Sequence, residues 1–423
     1  WHNKVYYSNY SIKGVQNIPF DKPLIFAPNH QNALMDAIAL LFSIKNQLVF
    51  VARADIFKKP VIAKILYFLK ILPIYRVRDG YDTIKKNQDI IKKTIDIITS
   101  GTGMVILPEG NHSGFRRLRP LKKGFARIAF QTEEANNYNL DIQIVPVGID
   151  YDHFYKYRGS LIINFGKPIP VREYTELYKE NNAVAINSIK DRLSQSIAPL
   201  MVDIKSIDNY QLYDEFRIIY RSRMAAKLGI NEDVDSNRIT IDKQLIKKVS
   251  EFEIINPEAT SMLQQDVINY IELRNKLGLT NELINRKGIS LFKLIFKSLS
   301  LIALLPLFLF GLINNILPYR IPIWLSNKMK DEQFRSSFKF VISLLAFPLF
   351  YIIQSAAIQL FLNNWNITLT YIVLLPVSAT ITWVWFKTFT CILSGWSYKL
   401  KSIFKTGVIS EIQGLYDRII DHT

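Results

Sequence analysis

Cysteine is all but missing: among 423 residues only Cys391 is one, and it lies in an apolar run. That excludes an internal disulfide framework and a cysteine-built zinc site, and it fits a reducing compartment. Acidic residues are scarce beside basic ones, 36 against 53, which leaves a formal charge of +17. A chain so basic attracts anions: nucleic acid, anionic lipid headgroups or phosphorylated substrates. Charged residues make up only 21% against 49% apolar, which excludes a disordered chain and supplies a large core. There is no internal repeat and no recognisable nucleic-acid module, so nucleic acid is not an expected partner. A G-x-S-x-G elbow is also missing, which argues against an ordinary lipase or esterase. No amino-terminal leader or anchor is visible, but the chain opens on Trp1 rather than methionine, so that absence carries no information.

What is present falls into regions; the length alone allows two or three domains at ~150 residues each. Over residues 1–170 short apolar runs alternate with amphipathic stretches. PLIFAP (23–28), QLVFVAR (47–53), GMVILP (103–108), IQIVPVGI (142–149) and SLIINFG (160–166) predict strands. Segments 33–44, 58–70, 81–99 and 122–135 have helical length and spacing. The alternation predicts an α/β fold, a mixed sheet covered by helices. Residues 171–290 read as successive amphipathic helices of unknown role, with NEDVDSNRITID (231–242) as an exposed connector.

From about 290 the composition turns apolar. Runs of 16 (298–313), 23 (340–362) and 20 (367–386) residues carry no charge. About 20 such residues cross a bilayer core of ~30 Å, so the second and third runs predict a transmembrane hairpin over 340–398, with NNWN at its tip. Pro348 and Pro376 are tolerable inside such helices. The first run is short and flanked by lysines and arginines on both sides, which predicts a re-entrant or interfacial segment within 291–339. Residues 399–423 are then a cytoplasmic tail, and the protein is integral to a membrane.

Four stretches could carry chemistry. In NHQNALMDAIALLF (29–42), Asn32 is a good N-cap, starting a helix at Ala33 and leaving His30 in the loop before it. His30 can fold back over the helix start to meet Asp36. The pair is then either a general base held by its carboxylate or a histidine satisfied structurally. In ILPEGNHSGFRRLRPLKKG (106–124), Glu109 ends a strand and Gly110 allows close backbone approach. Arg116, Arg117, Arg119, Lys122 and Lys123 follow, either a phosphate-binding run or a solvated loop. In KILPIYRVRDG (70–80), Arg76 and Arg78 offer planar forks suited to phosphate. IVPVGIDY (144–151) shapes a wall rather than reacting.

In this order the four resemble the motifs of the glycerophosphate acyltransferases, which make lysophosphatidic and phosphatidic acid: N-H-x4-D, G-x-I-F-I-x-R, F-P-E-G-T-R-S and V-P-V/I. They stand here as NHQNALMD, KILPIYR, LPEGNHS and VPVG, within residues 10–170. The resemblance implies that His30 is the catalytic base and Asp36 its orienting partner. It also implies that Arg76 binds the glycerophosphate and that Glu109 and Gly110 position it. Three departures stand out. Five residues rather than four separate His30 from Asp36, as in some glycerol-3-phosphate acyltransferases of the fungal type. Lys70 and Pro73 replace glycine and phenylalanine in the second motif. Asn111 and His112 replace Thr–Arg in the third, so Arg116 or Arg117 would substitute for the usual arginine, or His112 itself would touch substrate.

The implied activity is transfer of a fatty acyl chain from a thioester, acyl-CoA or acyl carrier protein, to glycerol 3-phosphate or 1-acylglycerol 3-phosphate. It needs no cofactor and no metal, and the catalytic domain would face the cytoplasm. The alternatives are transfer to another lyso-lipid, or a scaffold of the same fold without catalysis.

Overall fold

The structure, a computed structural model, describes residues 6–74, 83–155, 157–231, 235–329 and 334–421. The chain forms two compact units, Trp1–Asp203 with Asp233–Thr240, and Ile204–Glu232 with Ile241–Thr423.

The first unit is built on eight strands: β1 (Asn9–Lys13), β2 (Leu24–Pro28), β3 (Leu48–Arg53), β4 (Ile71–Ile74), β5 (Gly103–Val105), β6 (Gln143–Tyr151), β7 (Ser160–Phe165) and β8 (Ile169–Pro170). Their order is β1-β7-β6-β2-β5-β3-β4, with β8 paired to the start of β6. From β4 to β6 every pairing is parallel, while β7 runs antiparallel to β6 and β1 parallel to β7. The sheet is therefore mixed, as the alternation predicts. β2 is buried at all five positions, which suits a central parallel strand covered on both faces.

Helices α1 (Ala33–Leu41), α2 (Pro60–Phe68), α3 (Thr83–Thr99) and α4 (Gly124–Ala135) are the crossovers. Two further helices, α5 (Thr175–Glu180) and α6 (Asn182–Ile197), follow the sheet. Val171, Tyr178, Ile189, Leu193 and Ile197 share one core with Ile25, Met104, Phe125 and Ile144. The boundary expected at residue 170 accordingly falls later, at Asp203, because the apolar faces of α5 and α6 complete this core.

The second unit is helical: α7 (Tyr210–Leu228), α8 (Asp235–Ile255), α9 (Pro257–Leu277), α10 (Asn281–Asn285), α11 (Leu291–Ala303), α12 (Leu305–Asn327), α13 (Arg335–Leu362), α14 (Trp365–Phe404) and α15 (Thr406–Asp421). The connector expected over 231–242 is largely the start of α8, whose first turns belong to the first unit. Two of its charges are buried: Arg238 pairs with Asp150 at 3.0 Å, and Asp242 receives both Arg217, at 3.1 Å, and Arg221, at 2.8 Å. Burial of paired charges is what a composition reading misses.

α13 and α14 are long and apolar enough to cross a membrane, and they meet at Asn363–Asn364. The run 298–313 is not one element; it straddles a 59° bend between α11 and α12, and that helix pair passes the same test only when taken together. α12 packs on both α13 and α14. A Cβ at Gly311 would collide with Thr382 Oγ1 and with the Ser378 carbonyl oxygen, so this close approach of α12 to α14 requires glycine. Asn315 Nδ2 donates to Ser378 Oγ at 3.0 Å and Tyr351 Oη donates to Asn315 Oδ1 at 2.7 Å, tying the three helices together. Within the tail expected over 399–423, α14 continues to Phe404, and α15 packs on α9 with Arg418 bidentate to Asp266 at 3.0 Å.

Candidate active site

β2 and β5 are parallel neighbours. The segments that follow them therefore leave the sheet together, at the carboxyl ends of the strands. His30 follows β2 there and Glu109 follows β5.

His30 and Asp36 meet. The backbone enters α1 through Ala33, held in the left-handed region at φ 44°, and the loop before it folds back over the first turn. His30 Nδ1 lies 2.8 Å from Asp36 Oδ2. The same oxygen accepts the backbone N–H of Gln31 and of Asn32, each at 2.8 Å, and Asp36 Oδ1 accepts the Tyr151 hydroxyl at 2.7 Å. Asp36 is fully buried, so its charge is compensated by donors rather than by water. An acceptor-only carboxylate fixes hydrogen on Nδ1 and leaves Nε2 as the basic nitrogen. The His30 side chain keeps 15% exposure.

The helix starts where expected, but Asn32 does not cap it with its side chain. Its amide donates instead to Phe154 O at 2.9 Å, and Asp36, one turn inside the helix, takes the N–H groups of the turn. Asn29 is buried too and exchanges two hydrogen bonds with the backbone of Ile149, at 3.0 and 2.6 Å, anchoring the loop to β6.

Glu109 acts on the backbone. Its Oε1 accepts the His30 N–H at 2.7 Å and its Oε2 accepts the Arg119 N–H at 3.2 Å, with the Arg119 Nε at 3.4 Å. Burial pushes its carboxyl up to about 7, against the downward pull of these donors. Gly110 turns the chain at φ 70°, where a side chain would be strained, and Ser113 N–H returns to His30 O at 3.4 Å. The third-motif loop is thereby tied to the histidine. His112 is buried, with its ring edge-on to that of His30 at 5.3 Å between centroids.

The basic residues divide. Arg116 is 2% exposed; its guanidinium donates to Tyr151 O and, at 2.7 Å, to Asp152 O, and stands over the Phe154 ring at 5.0 Å. Arg116, one of the two arginines expected to stand in for the motif arginine, thus has its guanidinium turned to these carbonyls and to Asp150 Oδ1 at 3.5 Å. Arg117 is half-buried, and Arg119 reaches Asn111 O at 2.6 Å. Arg76 and Arg78 lie outside the described residues. Lys70, where the family motif has glycine, takes φ 59°, a left-handed conformation that glycine adopts without strain.

Tyr151, Asn29 and Gln31 were not singled out from sequence. Tyr151 lies 115 positions from Asp36, and nothing local marks the contact. Gln31 is 1% exposed, and both polar atoms of its side chain lack a hydrogen-bond partner among the described residues.

Comparison with known proteins supports the motif reading. A family model described as Acyltransferase matches residues 9–150. Glycerol-3-phosphate O-acyltransferase 1 of Saccharomyces cerevisiae is 25% identical over 282 residues, 62% of this chain and 36% of that protein. The chloroplastic 1-acyl-sn-glycerol-3-phosphate acyltransferase BAT2 of Brassica napus is 30% identical over 122 residues, 29% of this chain and 33% of that one. The chain therefore spans about a third of the length of these curated relatives. Among solved structures, the 1-acyl-sn-glycerophosphate acyltransferase PlsC of Thermotoga maritima matches with a TM-score of 0.29 and 17% identity, over 44% of this chain and 72% of that one. The resemblance read from the four motifs is met over residues 9–150, which match the Acyltransferase family model.

Proposed function

We propose that the chain is an O-acyltransferase that moves a fatty acyl group from a thioester to the free hydroxyl of glycerol 3-phosphate or 1-acylglycerol 3-phosphate. The observation that carries this reading is the His30–Asp36 contact at 2.8 Å, in which every Asp36 oxygen is turned to a donor. His30 Nε2 takes the proton of the acceptor hydroxyl as its oxygen bonds to the thioester carbonyl carbon. Collapse of the tetrahedral species breaks the C–S bond, and the imidazolium returns its proton to the leaving thiolate. Asp36 stabilises the imidazolium between those events. No covalent acyl-enzyme is required, and Cys391, in α14, takes no part.

Glu109 is a positioning residue in this scheme, holding the His30 and Arg119 backbones. Arg76, Arg78, Arg117 and Arg119 are the cations proposed for the acceptor phosphate, and His112 forms a wall beside the base. Lysines and arginines at both ends of the α13–α14 hairpin support a cytoplasmic placement of those ends. A second acceptor class is favoured by one observation: His112 stands where the family motif has arginine, and Arg116, a candidate substitute, donates to the carbonyls of Tyr151 and Asp152. Purified protein offered glycerol 3-phosphate, 1-acylglycerol 3-phosphate and a zwitterionic lysophospholipid, each with acyl-CoA and with acyl carrier protein, separates these readings. Transfer to a glycerophosphate acceptor is expected; transfer to the zwitterionic lipid alone would overturn the assignment of a phosphomonoester acceptor.

A further inference from the structure

α2 is exposed along most of its length although it is apolar. Ile65 is 52% exposed, Tyr67 49%, Phe68 83% and Leu69 51%. Ile65, Phe68 and Leu69 are spaced i, i+3, i+4, so they lie on one face. A protein surface seldom leaves such a cluster in water unless something covers it.

Charge says what kind of cover fits. Lys58, Lys59, Lys64 and Lys70 are all exposed around this face, and none makes an ion pair among the described residues. Between Asp55 and Asp79 the sequence holds no carboxylate at all. Apolar side chains ringed by long flexible cations, with a tyrosine among them, match the boundary of an anionic bilayer. There the rings and branched chains enter the acyl region and the ammonium groups stay at the phosphates. A bilayer is also at hand, since the same chain carries two helices long enough to cross one.

We infer that the exposed face of α2 is a lipid-docking surface of the first unit, seated in the headgroup layer of an anionic membrane. The inference does not depend on the acyl-transfer reading.

The test uses the full chain with Cys391→Ser as background and single cysteines at Phe68, Ile65 or Glu176, each carrying an environment-sensitive fluorophore. A cysteine at Leu349, in α13, reports insertion of the hairpin independently. The protein is reconstituted in vesicles of phosphatidylcholine with phosphatidylglycerol, and in phosphatidylcholine alone. With Leu349 in lipid, probes at positions 65 and 68 are expected to shift to the blue and to be quenched by headgroup-labelled lipid, while the Glu176 probe is not. Replacing the four lysines with glutamine should cut that quenching several-fold in the anionic vesicles. Probes at 65 and 68 that remain in water while Leu349 is inserted would overturn the proposal. So would shielding that depends on protein concentration and gives energy transfer between labelled copies, since a second copy would then be the cover.

Discussion

Asp36→Asn isolates the charge of the dyad from its shape. The oxygen of asparagine can occupy the Oδ2 position and accept the same three donors, His30 Nδ1 and the N–H groups of Gln31 and Asn32. Its NH2 group then faces the Tyr151 oxygen, which has lone pairs to receive it. Folding is therefore expected to survive, with a small change in melting temperature. What goes is the negative charge beside the imidazolium. At an effective dielectric of ~20, two unit charges ~4 Å apart attract by about 4 kcal/mol. At 1.36 kcal/mol per tenfold, that is about three decades in rate, less whatever the neutral amide still contributes. Turnover at saturating acceptor and donor is expected to fall by about a hundred- to a thousandfold, with little change in KM. A folded Asp36→Asn protein that keeps most of its turnover would refute the assignment of Asp36 as the group that stabilises the protonated base.

Tyr151→Phe removes one donor from buried Asp36 and is expected to cost about 2 kcal/mol of stability in thermal or denaturant unfolding. It should also lower turnover about tenfold by loosening the carboxylate. Glu109→Gln tests the raised carboxyl. With a folded value of about 7 against 4.5, folding favours the protonated form, so its stabilisation is complete below about 4.5 and is lost as pH rises through 7. Wild type should lose up to about 3 kcal/mol relative to Glu109→Gln across that window, and parallel stability profiles would contradict it. Lys70→Gly relieves a left-handed residue and should stabilise by up to about 1 kcal/mol, whereas Lys70→Ala should not.

The elements legible in the sequence were those whose burial is uniform along the strand or periodic along the helix. LIFAP and the QIVPVGIDY strand are buried at every position and read as apolar runs. β1 was not legible, because NYSIK lies at the sheet edge with only partial burial and carries little apolar signal. β4 was hidden by its four-residue length. His30 and Asp36 could be paired from sequence because six positions of local chain separate them. The rest of the site depends on distant strands: Tyr151 and Ile149 reach it only because β6 lies beside β2. Arginines misled most. Arg116, Arg217 and Arg238 are buried against carboxylates and carbonyls, while a composition reading places such residues in water.

The central claim is that His30 is the base for acyl transfer, and one comparison addresses it directly. Purified wild type and His30→Ala, shown to share a melting temperature, are given a thioester donor with glycerol 3-phosphate or 1-acylglycerol 3-phosphate, and product is followed. Transfer by the wild type that falls to background in His30→Ala is the expected result. Transfer that persists at a comparable rate in the folded variant would contradict the account.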